Sequence, residues 1–196
     1  LKHEIPENKV LSHDLLEGNY LRCGLASDIM LMDGYPLKYS SFMNRLSRWI
    51  RGDWQISSWL TSKLNLLSKY KIFDNLRRSI FEIAALLLIF IKSQTWFVAL
   101  LLGIVILPQL LEIINLAFSR KEGEKKQKTF TPRVAGFKGA IYRAILTIGC
   151  LPYKAYIEII AISKTIYRLL VSRKHLLEWM TSEEAEKQSQ TSLINY

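Results

Sequence analysis

Apolar and polar positions along the chain change register several times, and each change predicts an element. From His13 to Cys23 the spacing is helical, with Leu15, Leu16 and Leu21 apolar and Gly24 placed to end the helix in a left-handed turn. Ala26–Met32 suits a short strand, closed by the turn residues Asp33, Gly34 and Pro36. Ser40–Leu60 predicts a longer helix. Phe42, Leu46, Trp49 and Ile50 share one of its faces, and Arg45, Arg48 and Gly52 lie one turn apart on a neighbouring face. Residues 1–62 therefore read as a globular region with helix and strand signals mixed.

Beyond residue 62 the pattern becomes that of a chain meeting a bilayer. In 63–78, Leu64, Leu66, Leu67, Tyr70, Ile72 and Phe73 alternate with lysines and arginines, as in an amphipathic interfacial helix. Ile80–Phe118 carries only Glu82, Lys92 and Glu112 as charges. As one helix, at about 1.5 Å per residue, it would be roughly twice as long as a ~30 Å hydrocarbon core is thick, so it must turn. Lys92-Ser93-Gln94-Thr95 is the natural place, which makes 79–118 a transmembrane hairpin whose second leg contains Pro108.

Residues 119–133 form a charged polar loop. Within 134–179, Val134–Val171 is apolar but interrupted by Lys138, Arg143, Lys154, Glu158, Lys164 and Arg168. A charge at the centre of a span costs about 2.5–3.5 kcal/mol on insertion scales, so an amphipathic helical hairpin pivoting near Pro152, in or against the interface, is expected there. Residues 180–196 have the composition of a linker.

Composition sharpens this picture. Hydrophobic residues make up 49% of the 196, yet 27 Lys and Arg face 17 Asp and Glu. The excess cations bracket apolar runs rather than clustering on one folded face, which argues for a membrane and against nucleic acid. Basic flanks at Arg77-Arg78 and Arg120–Lys128 place both ends of the hairpin in the cytoplasm by the positive-inside rule. Cys23 and Cys150 have neither disulfide-framework nor metal-ligand spacing. Leu1–Val10 contains no apolar core of a signal peptide, and the chain is expected to begin within a longer protein.

Two stretches carry more than composition: Leu11-Ser12-His13-Asp14-Leu15-Leu16-Glu17-Gly18, and Asn44-Arg45-Leu46-Ser47-Arg48-Trp49-Ile50-Arg51-Gly52-Asp53-Trp54-Gln55. They resemble the carboxyl-terminal motifs of processive, membrane-integrated relatives of glycosyltransferase family 2. With Arg22-Cys23-Gly24-Leu25, Phe73–Ser79, Thr165–Arg168 and Leu176–Trp179, they resemble the cyclic β-1,2-glucan synthases of glycosyltransferase family 84. The resemblance implies that Asp14 is the catalytic base. Arg48 and Trp49 match the Arg-Trp of a Gln-x-x-Arg-Trp motif that meets the donor pyrophosphate and acceptor sugar, with Arg45 standing where the Gln would be. His13 and Glu17 are possible supports.

The residue types fit that chemistry on physical grounds. An inverting transfer needs a base for the acceptor hydroxyl, and a carboxylate at a helix start stays ionised. A guanidinium grips phosphate oxygens bidentately. A Trp plane stacks on a sugar ring. The competing assignments are a plain helix cap for Asp14, core packing for Trp49, and an exposed or headgroup-facing surface for Arg45 and Arg51.

The resemblance also implies UDP-glucose as donor, a β-glucan as acceptor, and Mg²⁺ or Mn²⁺ whose ligands lie outside this sequence, since no Asp-x-Asp occurs in it. The nucleotide-binding half is expected before Leu1, in other domains of the same polypeptide. The expected fold is thus mainly α, a carboxyl-terminal remnant of a GT-A-like α/β glycosyltransferase domain followed by interfacial and transmembrane helices in a bacterial inner membrane. The alternatives are another processive polysaccharide synthase, or a non-enzymatic membrane subunit or scaffold.

Overall fold

The structure is a computed structural model and describes residues 10–11, 14–21, 24, 26, 28–29, 38–118 and 136–178. Among the described residues there is no strand; the elements are α1 (Asp14–Leu21), α2 (Tyr39–Gln55), a 3₁₀ segment (Ile56–Thr61), α3 (Leu66–Ile91), α4 (Thr95–Val105), α5 (Leu107–Phe118), α6 (Gly136–Tyr167) and a π-helical turn (Arg168–Ser172). Most of the strand expected over Ala26–Met32 lies outside the described residues. Gly24 does not adopt the left-handed backbone expected of it, and residues 22–23 between it and Leu21 of α1 lie outside the described residues.

The chain divides into two compact units, 1–81 with 156–196, and 82–155. In the first, a small apolar core gathers Val10, Leu16, Ile56 and Ile72, with Leu15, Tyr20, Trp59, Leu60, Leu64 and Leu76 packed around them. α1 is only 8 residues long. A helix of that length is marginal on its own, so its order derives from burying Leu16 against the 3₁₀ segment and α3. α3 starts where it does because the Asn65 side-chain oxygen accepts the Ser68 backbone N–H at 2.8 Å, an N-cap that satisfies one orphan donor of the first turn. Its Ser68, Ile72 and Ser79 are buried, while Leu66, Leu67, Tyr70 and Phe73 are exposed beside Lys71 and Arg77.

The second unit is built the other way round. Its outward positions are large and apolar, among them Leu87, Phe90, Trp96, Leu100, Leu111 and Ile145. Its charges instead meet one another: Arg143 of α6 donates to Glu112 of α5 at 2.5 Å, Gln109 donates to Thr147 at 3.4 Å, and Lys154 of α6 pairs with Glu82 of α3. Gln109 and Glu112 are three apart and Arg143 and Thr147 four apart, so these contacts form one polar seam between α5 and α6.

The chain breaks at 92–94 between α3 and α4, and again at Ile106 with a 62° bend between Thr95–Val105 and Leu107–Asn115. Pro108 explains the second break: it has no N–H to offer Ile104, and its ring excludes a straight helix through that carbonyl. No single helix among the described residues is long and apolar enough to cross a membrane, whereas two bent pairs are so by length and composition: the one just named, and Phe137–Gly149 with Leu151–Ser172.

The hairpin expected at Pro152 is not formed; the helix bends there by 58° and continues. A proline removes one hydrogen bond and tilts the axis, but intact turns on either side keep the chain helical. The predicted pairing carries a test. Neutralising Glu82 or Lys154 alone should destabilise the protein more than neutralising both, with a coupling of about 1 kcal/mol or more in a thermal-unfolding double-mutant cycle. Strictly additive effects would contradict the pair.

Candidate active site

Asp14 is the first residue of α1 and is exposed, with Glu17 in the same turn. Ser12 and His13 lie outside the described residues. The segment is held on both sides of Asp14. Downstream, Leu15, Leu16 and Tyr20 pack into the core. Upstream, the Leu11 N–H donates to the Gln55 side-chain oxygen at 2.6 Å.

The second motif forms most of α2, and its buried side is Ser41, Met43, Ile50, Arg51, Gly52 and Gln55. Trp49, read from spacing as part of the apolar face, is 42% exposed, which rules out the core-packing assignment. The Arg45 guanidinium lies over its ring at 4.7 Å from the centroid, a cation–π geometry that fixes the indole plane and carries positive charge beside it. Arg48, between them in sequence, is half-buried.

Arg51 overturns an expectation. It was to face solvent or headgroups, yet it is 8% exposed. The buried stripe of α2 runs through Met43, Ile50 and Gln55, and Arg51 and Gly52 lie on it as well. Burial, with Arg168 nearby, lowers its pKa, while Glu178 opposes the shift.

The last turn of α2 acts as a clamp. Asp53 accepts the Asn75 amide of α3 at 2.8 Å, and Trp54 donates its indole N–H to the Ser79 hydroxyl at 3.0 Å. Burial raises the Asp53 pKa, opposed by the Asn75 hydrogen bond and by Arg78. Gln55, 5% exposed, uses both ends of its amide: besides accepting from Leu11, it donates to the Leu176 carbonyl at 2.9 Å. Sequence reading quoted Asp53, Trp54 and Gln55 only for their resemblance. Their positional signal was three polar-capable side chains at a helix end next to an apolar run.

The predicted residues fall into two groups. Arg45, Arg48 and Trp49 share one helix, and Arg45 touches Trp49 directly. Asp14 sits on another helix in the same unit, reached through Gln55: it is at most about 11 Å of chain from Leu11, and Arg48 stands about 10 Å of helix rise before Gln55. Among the described residues, no group of three or more His, Cys, Asp or Glu could hold a metal ion.

Comparison with known proteins gives one strong relation. No family model matches the chain. Across its whole length it is 33% identical, over 207 aligned positions, to cyclic beta-(1,2)-glucan synthase NdvB of Rhizobium meliloti, and it spans 7% of that protein's length.

The clamp predicts that Gln55→Leu, close in volume, destabilises the protein by about 2–4 kcal/mol, since it strands a backbone donor and a backbone acceptor. Chemical denaturation of the variant measures this, and a loss below ~0.5 kcal/mol would show that the amide bridges nothing of consequence.

Proposed function

We propose, for a chain that belongs as a segment to the cyclic β-(1,2)-glucan synthase family, that it supplies the acceptor side and part of the leaving-group side of an inverting glucosyl transfer from UDP-glucose to a growing β-1,2-glucan. The observation that supports this most is the Gln55 bridge, which couples the segment leading to Asp14 with the helix bearing Arg48 and Trp49.

In this reading the acceptor hydroxyl oxygen attacks the anomeric carbon while the bond from that carbon to the diphosphate breaks. The hydroxyl proton passes to the Asp14 carboxylate. Negative charge develops on the departing diphosphate, and the Arg48 guanidinium meets it. The exposed Trp49 plane, held by Arg45, offers a stacking surface for a glucose ring. A divalent cation would share the diphosphate charge. Its ligands belong to other domains of the polypeptide, as does the GT-A nucleotide-binding half.

The same reading assigns the unit 82–155 to a bacterial inner membrane, with the motif region cytoplasmic. Its apolar exterior and paired charges support this, because a charge in lipid is better tolerated when it meets a partner. The exposed Leu66, Leu67, Tyr70 and Phe73 of α3, interleaved with basic residues, suit a helix lying along the membrane surface.

Asp14→Asn in the intact synthase should lower glucan synthesis by about 10²–10⁴-fold while leaving UDP-glucose binding intact. Incorporation of labelled glucose at the wild-type rate would reject Asp14 as the base. For topology, a cysteine placed at Gln94 should react with an impermeant maleimide added outside intact cells. Protection of that site, with external control sites labelled, would overturn the hairpin.

A further inference from the structure

Arg51 is not used by the proposed chemistry, yet its environment is unusual for a guanidinium. Its Nε and Nη2 are both buried and meet no hydrogen-bond partner among the described residues. These two atoms form one edge of the planar fork, the edge whose parallel N–H bonds match two oxygens of a phosphate or carboxylate. Leaving such donors unsatisfied is costly, more so for a charged group than for a neutral one. The cost is increased by like charge: Lys164 near the end of α6 and Arg168 at the start of the π-helical turn act electrostatically on each other and on Arg51.

The chain beyond α6 folds over this region as a hook. Arg168 donates to the His175 carbonyl at 2.5 Å and pairs with the Glu178 carboxylate. Gln55, one turn after Arg51 on α2, holds the Leu176 carbonyl. Arg173 and His175 both take left-handed backbone conformations, with φ of 51° and 57°. Each is strained for a residue with a side chain, and such strain persists where surrounding contacts impose it and clusters at functional segments. Glu178 acts as an anion on Arg51 and Lys164, and it is engaged by Arg168.

We infer that Arg51 and Lys164, with Arg168 as a neighbouring charge, form an oxyanion site for a phosphate-class group, covered by the hook at 173–178. The fork of Arg51 takes two oxygens and the Lys164 ammonium a third, while Arg168 stays engaged with the hook. Two sources share that chemistry: the diphosphate of a nucleotide, and the phosphate of a lipid headgroup. Arg51 follows Arg48 by three residues, so the two are neighbours on the surface of α2, and the diphosphate source joins the donor site proposed above. That source rests on the glucosyltransferase reading; the oxyanion site does not.

The test uses the full-length synthase in nanodiscs and two variants. Lys164→Gln alters an exposed residue, and Arg51→Lys keeps the charge while removing the fork. In phosphatidylcholine discs, calorimetric titration with inorganic pyrophosphate should show affinity reduced about tenfold in each variant. If pyrophosphate affinity is unchanged but co-purified phosphatidylglycerol falls in both variants when discs contain that lipid, the group held is a headgroup phosphate. Wild-type behaviour of both variants in both arms overturns the site, as does a variant that gains thermal stability and binds both probes normally. Neither arm requires turnover, so an inactive Asp14 variant leaves them readable. An Arg48→Ala titration run in parallel separates the neighbouring donor contact from this one.

Discussion

The arrangement depends on one buried amide. Gln55 ends α2 with its oxygen on the Leu11 N–H and its nitrogen on the Leu176 carbonyl, so a single side chain joins three segments far apart in sequence. A glutamine suits this place because it presents an acceptor and a donor at the same time. A glutamate would keep the first contact and set a carboxylate against a carbonyl at the second. Asp53 and Trp54 complete the attachment by fixing the same turn to α3. The motif helix is therefore held at its carboxyl-terminal end, and Trp49, with the Arg45 guanidinium over its ring, stays exposed on its free side.

The two units solve opposite problems. Around Leu16, Ile56 and Ile72 the chain buries apolar side chains in the ordinary way. In 82–155 the apolar side chains lie outside, and the polar ones meet as Glu82 with Lys154, Glu112 with Arg143, and Gln109 with Thr147. A solvated pair of this kind is worth no more than about 1 kcal/mol. In a medium without water the same pairs also remove the cost of isolated charge, so they bear on where the unit resides as well as on how its helices register.

The sequence announced the breaks in the chain better than the faces of its helices. The polar run Lys92–Thr95 and Pro108 both mark real interruptions, because each acts locally on the backbone. Pro152 was legible as a disturbance but not as a bend of 58°, since the neighbouring turns decide whether a helix reverses or carries on. The face of α2 was legible only in part: of Phe42, Leu46, Trp49 and Ile50, Ile50 is buried, whereas Trp49 is exposed and Arg51 lies inside. Two of the charges at 134–171, Arg143 and Lys154, have partners that stand 31 and 72 positions away, beyond anything periodicity registers. Of the candidate site, the residue types and the order of the two motifs were readable. The Gln55 bridge was not, because it depends on a long-range contact.

In the proposed function Asp14 and the Arg48–Trp49 pair serve one reaction centre. Cross-linking tests this in the intact synthase carrying Asp14→Cys and Trp49→Cys, with Cys23 and Cys150 replaced by serine, using a short bis-maleimide with and without UDP. A shared centre gives an intramolecular cross-link that UDP or a glucan oligosaccharide suppresses. Efficient labelling of both cysteines with no cross-link between them, in any ligand state, would contradict it.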